Sequence, residues 1–164
     1  MNNLTADRLC AVLDYDPSRG IFVWKSRASN RIKVGQEAGS THGSGYTQIN
    51  VDGQNYLAHR LAWLYVHGEW PKHVIDHING DRKDNRIENL RDVPHPINAQ
   101  NIRRPMSTNT SGFLGVSWSR KDKSYVAHIS VQNRTKCVGA FRSAIQAHDA
   151  YLSAKRKVHA GCTI

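Results

Sequence analysis

Residues 74–101 constrain this 164-residue chain more than any other stretch. They read Val74-Ile75-Asp76-His77-Ile78-Asn79-Gly80-Asp81, then Asn85-Arg86-Ile87-Glu88-Asn89-Leu90-Arg91, then His95-Pro96-Ile97-Asn98-Ala99-Gln100-Asn101. Short apolar runs alternate with a carboxylate-histidine pair and several carboxamides, more polar groups than a fold core needs in one place. The run Val74-Ile75 leads into a short strand, and Asn79-Gly80-Asp81 ends it as a turn. A second strand, Asn89 to Val93, returns beside it; Pro94 and Pro96 break that strand, and Pro96 suits the first turn of a helix carrying Asn98. Neighbours on a regular strand point to opposite faces, so Asp76 and His77 can serve one site only where the strand ends.

The chemistry of these groups is that of a metal site acting on phosphate. Mg²⁺ takes hard oxygen ligands and keeps several waters. Asp76 offers a carboxylate oxygen and Asn98 an amide oxygen, with other positions left for water and phosphate. Histidine is the side chain whose ordinary pKa allows proton abstraction near neutrality, and His77 stands beside Asp76. Asp81 and Asp84 read as turn formers rather than ligands. Arg86 and Arg91 suit phosphate contact, with a solvated face as the alternative.

The run Asp76-His77, Asp81, Asn85, Asn89-Leu90-Arg91 and Asn98 resembles the HNH nuclease motif of phage and intron homing endonucleases, in residue type and spacing, across residues 59–101. The resemblance implies the ββα-metal fold, His77 as general base, Asp76 and Asn98 as metal ligands, and Asn89 as the brace that orients the base. His95 rivals Asn98 for the second ligand position.

Upstream, Leu4 to Leu13 has helical periodicity with Leu9, Val12 and Leu13 on one face, and Thr5 or Asn3 as cap. Tyr15 to Gly20 is a turn, Ile21 to Trp24 a strand, and Lys25 to Ser44 irregular, with Lys25, Arg27, Arg31 and Lys33 as a loose basic cluster. Tyr46 to Val51 and Gln54 to Leu57 flank Asp52-Gly53, a hairpin signal. Ala58 to His67 reads as a helix burying Leu61, Ala62, Leu64 and Tyr65 and ending at Gly68; His59 and Arg60 face the DNA or the active site, with Arg60 nominated as a DNA contact and helix-start packing as the alternative.

Charge divides the chain. Residues 102–164 hold 11 Lys/Arg against 2 Asp/Glu, whereas residues 1–101 hold 12 against 11. A basic tail on a near-neutral body points to a polyanion-binding module. Cys10, Cys137 and Cys162 form no Cys-x-x-Cys pair, which argues against structural zinc and for reduced thiols in a cytosolic setting. No signal peptide or membrane-length apolar run is expected. Residues 102–112 lack apolar periodicity and read as a linker, with 102–110 between the domains.

The tail reads as three strands and a helix: Gly115 to Ser119, Ser124 to Val131 with Tyr125, Ala127, Ile129 and Val131 on one face, and Lys136 to Phe141. Ser143 then caps a helix to about Ala154 whose sheet-facing side includes Ile145, Ala147 and Tyr151. Ser111-Gly112, Gly115-Val116, Tyr125 to Ile129, Gly139-Ala140-Phe141, and Ala147 with Tyr151 resemble the AP2/ERF DNA-binding domain over residues 111–161. Arginine positions of plant members near Gly115 are here Leu114, Ser117 and Ser119, and the family's strand-three tryptophan position holds Cys137, so plant-type sequence preference does not carry over. Strand position nominates Trp118, Arg120, Lys121, Lys123, His128, Arg134 and Lys136 as DNA contacts, with the turn cations on phosphate and Trp118 either stacked on sugar or packed beneath the linker.

The expectation is therefore an α+β chain: an HNH domain at 1–101 with an N-terminal helix and hairpin, and an AP2-like domain at 111–164. It implies a Mg²⁺-dependent DNA endonuclease, with Mn²⁺ substituting, that cuts double-stranded DNA one strand per active site, as a monomer or weak dimer in the cytoplasm of a bacterial or phage-infected cell. A DNA-binding protein with a non-catalytic HNH scaffold and an RNA nuclease are the alternatives.

Overall fold

In the computed structural model, which describes residues 4–27, 32–132 and 134–164, the Thr5 side chain accepts a hydrogen bond from the Arg8 amide (3.2 Å) and caps helix α1, Ala6–Val12. Asn3 and Arg31, named above as cap and basic-cluster members, lie outside the described residues. The helix stops short of the expected Leu13 because the chain turns straight into strand β1, Leu13–Asp16. Alternation wins there: Leu13 and Tyr15 are buried and pair with Trp24 and Phe22 of β2, Ile21–Trp24. The expected turn thus shrinks to residues 17–20. The stretch read as irregular contains two-residue strands, β3 Glu37–Ala38 against β2 and β4 Ser40–Thr41 against β5, Thr47–Val51.

Strand β5 pairs with β6, Gln54–Leu57, through Asp52 and Gly53, both at positive φ (51° and 80°), as a type I′ hairpin turn requires. Helix α2, Ala58–His67, follows at once and ends at Gly68 in the left-handed conformation, its amide bonded to the Leu64 carbonyl. Its apolar side, Leu61, Ala62 and Leu64, joins Leu9, Leu13, Phe22, Ile49, Ile75 and Leu90 in one core. Strands β7, Val74–His77, and β8, Leu90–Val93, form a two-stranded antiparallel sheet. Asn89, expected to open the second strand, instead closes a single 3₁₀ turn, Ile87–Asn89, because its side chain is engaged in the connecting loop. Helix α3, His95–Gln100, comes next in the chain.

The chain divides into two compact units, Met1–His95 and Pro96–Ile164. In the second, β9 Val116–Ser119, β10 Ser124–Val131 and β11 Arg134–Phe141 make an antiparallel sheet in the order β11-β10-β9. Helix α4, Ala144–Val158, capped by the Ser143 hydroxyl, packs on all three strands around Val116, Ala127, Ile129, Ala147 and Tyr151. Ile145, expected on the sheet-facing side, is 61% exposed. Helix α4 also runs a turn beyond Ala154, where Lys155 is buried and its ammonium donates to the Ile102 carbonyl at 2.6 Å. That bond, with Arg103 Nη2 donating to the Thr163 carbonyl at 3.1 Å, ties part of the stretch expected as linker to the helix and the C-terminal residues. The units divide after His95, ahead of residues 102–110.

Candidate active site

The β7 strand ends where the sequence requires. Asp76 and His77, its last two residues, are 5% and 4% exposed. Beyond them the chain enters the loop that returns at Leu90. Asn89 ties this loop together: its Oδ1 accepts from the Asn79 amide at 2.9 Å, and its Nδ2 donates to the Asp84 carbonyl at 2.8 Å. Asp81 and Asp84 behave as turn formers, accepting from the amides of Lys83 and Arg86. Asn79 Nδ2 also donates to Asp84 (2.7 Å), and Arg86 pairs with Asp84 and Glu88 (both 2.8 Å). These bonds hold Asp84 well below the usual carboxylate range, at about 2, the Arg86 hydrogen bond contributing most.

His77 Nε2 lies 3.3 Å from Asn85 Oδ1. The Asn85 amide nitrogen donates to the Lys83 carbonyl at 3.2 Å, so its oxygen faces the ring. An oxygen there can only accept, which assigns the proton of neutral His77 to Nε2 and the lone pair to Nδ1. Asn85 is itself buried, and its carbonyl accepts from the Tyr15 hydroxyl at 2.7 Å. Burial drives the Tyr15 phenol up to about 12 and keeps it a donor. Gly20 lies against the same backbone: a Cβ there would fall 2.7 Å from the Asn85 carbonyl carbon, and φ is +68°.

His59 and Tyr46 complete the surroundings of the base. The His59 ring meets His77 edge-on, with centroids 5.0 Å apart, and Tyr46 at 5.1 Å; Tyr46 lies 5.8 Å from His77. His59 is 5% exposed, and burial first, then the charges of His77 and Arg60, push it down to about 3. His77 is also lowered, by burial, against the opposing effects of the Asn85 hydrogen bond and the charges of Asp76, Asp84 and Asp81. Arg82 fastens Tyr46 to the loop: its guanidinium sits 5.0 Å over the Tyr46 ring and donates to the Ser44 carbonyl at 2.7 Å. Asn85, Tyr15, Gly20 and Tyr46 have no assigned role in the site from sequence alone. Asn85 alone had a signal, its place in the motif.

The remaining residues fall as follows. Arg91 forks onto Asp76 (2.9 and 2.7 Å), and the guanidinium of Arg60 lies 5.6 Å from the Trp70 ring centroid. Asn98 stands on α3, in the second unit. In that unit, Arg120, Lys121 and Lys123 are exposed in the β9–β10 turn. The register sets His128 on the open sheet face with Ser117, Val126, Ser130, Thr135, Cys137 and Ala140. Trp118, Arg134 and Lys136 pair with Tyr125, Val131 and Ile129, so strand alternation puts them on the side of the buried residues. Trp118, 44% exposed, contacts the Tyr125 ring edge at 4.8 Å.

A hard divalent ion fits this donor set. Mg²⁺ binds through one or two carboxylates and leaves positions for water and phosphate, and Asp76 offers one. A closed structural site does not fit: among the described residues no three His, Cys, Asp or Glu side chains are grouped to hold a metal.

Comparison with known proteins bears on the same stretch. Residues 56–100 match the HNH endonuclease family. Protein 3.8 of Escherichia phage T7 is 32% identical over 77 residues, which cover 46% of this chain and 63% of that protein. The aligned segment thus spans less than two thirds of that relative's length. No solved structure matches the chain. The match supports reading residues 56–100 as an HNH endonuclease domain, a phosphodiester hydrolase, and HNH nucleases generally depend on a divalent metal. No helix among the described residues is long and apolar enough to cross a membrane.

Proposed function

We propose that this chain is a metal-dependent DNA endonuclease of the HNH homing type that nicks one strand per active site. The observation that carries the reading is His77 at the end of β7, beside Asp76, with its ring fixed by Asn85 at 3.3 Å. Asn85 holds the Nε2 proton, so Nδ1 receives the proton of the attacking water. Asn89 keeps the loop, and with it Asn85, in place. Asp76, with Asn98 nominated by motif spacing, would hold Mg²⁺ or Mn²⁺. The ion, when bound, stabilises charge on the phosphate and on the leaving oxygen. Water adds to phosphorus as the 3′ O–P bond breaks, leaving a 3′ hydroxyl and a 5′ phosphate.

Residues 111–164, read as AP2-like, target the cut. Arg120, Lys121 and Lys123 project from one turn, and turn cations bind phosphate and set affinity rather than sequence. His128, on a sheet face of otherwise small side chains, is the contact nearest to bases.

Incubation of the full chain with supercoiled plasmid tests the reading, with Mg²⁺, Mn²⁺ or EDTA, and with an RNA competitor. Relaxed circles with either metal and none in EDTA are expected. A gel shift without relaxed circles in either metal would replace the enzyme with a binding protein. Preferential consumption of the RNA would make the chain an RNA nuclease.

A further inference from the structure

Arg91 suits a phosphate contact by its place in the sequence, and in the structure its guanidinium is bonded to Asp76. It stands directly across from Asp76 on the β7–β8 pair. Its Nε and Nη2 both donate to one carboxylate oxygen, Oδ2, at 2.9 and 2.7 Å. The Asp76 side chain is 6% exposed and that of Arg91 25%, so little water screens the pair. A carboxylate this buried needs a charge partner, and the guanidinium supplies one. Two bonds to a single oxygen also fix the rotation of the carboxylate, and with it the direction of Oδ1.

We infer that Arg91 is a positioning residue for Asp76 that also sets how tightly the site takes a divalent cation. This rests on the proposed reading of Asp76 as a metal ligand. A unit positive charge bonded to the ligand opposes an arriving divalent ion. A DNA phosphate entering the site brings negative charge that offsets it. The free protein therefore binds metal weakly, and full affinity coincides with substrate. A role in stability alone gives the opposite sign, because damage to the site weakens metal binding.

Isothermal titration of the 164-residue chain with MnCl₂ tests this on wild type, Arg91→Met, Arg91→Gln, Arg91→Lys and Asp76→Asn. Removing the charge tightens Mn²⁺ binding roughly tenfold in Arg91→Met and Arg91→Gln, the order expected for a unit charge next to a divalent site. Arg91→Lys, which keeps the charge, stays within about twofold of wild type on the same argument. The glutamine variant carries the comparison if the methionine variant does not fold. Binding by both neutral variants that is equal to or weaker than wild type, with Asp76→Asn inert, overturns the inference and leaves the nuclease reading standing. Wild-type affinity in Asp76→Asn removes the ligand role of Asp76 itself, and with it the basis of this proposal.

Discussion

Acidification should destabilise the first unit through His59. Its ring is 5% exposed, and burial pushes its pKa from the ordinary 6.5 down to about 3. The unfolded chain therefore binds a proton that the folded chain refuses, and stability falls as pH drops through the window from 6.5 toward 3. Above 6.5 the imidazole is neutral in both states and there is no loss. At pH 5 the gap from 6.5 is 1.5 pH units, which at 1.36 kcal/mol per unit amounts to about 2 kcal/mol. His77, lowered in the same direction, adds to the wild-type loss, so the measurement must be a difference. His59→Phe keeps a ring against His77 and Tyr46 and removes the titration. Urea unfolding at pH 8 and pH 5, in a Trp118→Phe background, follows the first unit through Trp24, Trp63 and Trp70. Wild type should lose about 2 kcal/mol more than His59→Phe between the two pH values. An equal loss in both proteins, or an NMR titration of His59 near 6.5, would refute the argument.

Three further perturbations probe other parts of the account. Gly20→Ala introduces a left-handed alanine whose Cβ meets the Asn85–Arg86 backbone; it should cost at least about 1–2 kcal/mol and lower the melting temperature of the first unit. Asn85→Leu removes the acceptor that fixes the His77 tautomer; steady-state kinetics should show kcat down by roughly 10–100-fold with KM little changed. Replacing Arg120, Lys121 and Lys123 together with alanine should weaken DNA binding about equally for all sequences and reduce the slope of log K against log salt by roughly 0.9 for each phosphate no longer neutralised.

Elements with local signals were legible in the sequence. Helix α2 starts and stops where Ala58 and Gly68 place it, and β6 and β10 have the expected bounds. The hairpin turn at Asp52-Gly53 is equally local. Strands β3 and β4 were not legible, because two residues carry no periodicity of their own. The start of β1 was hidden because Leu13 fits the α1 face as well as the alternation with Tyr15. In the candidate site, residue types and spacing pointed to Asp76, His77 and Asn89, but not to how each is held. The role of Asn85 depends on the Lys83 carbonyl turning its amide, and the inward set of Arg91 depends on register. His59 stood between two readings that only tertiary packing separates, and its ring lies against His77.

The central claim is that His77 is the base of a metal-dependent phosphodiester hydrolysis. The most direct test is the rate of plasmid nicking in Mg²⁺ by wild type and His77→Ala, purified side by side and matched for folding by circular dichroism. The rate should fall roughly 10²–10⁴-fold, the usual contribution of a positioned general base. A His77→Ala protein that nicks at the wild-type rate would contradict the claim.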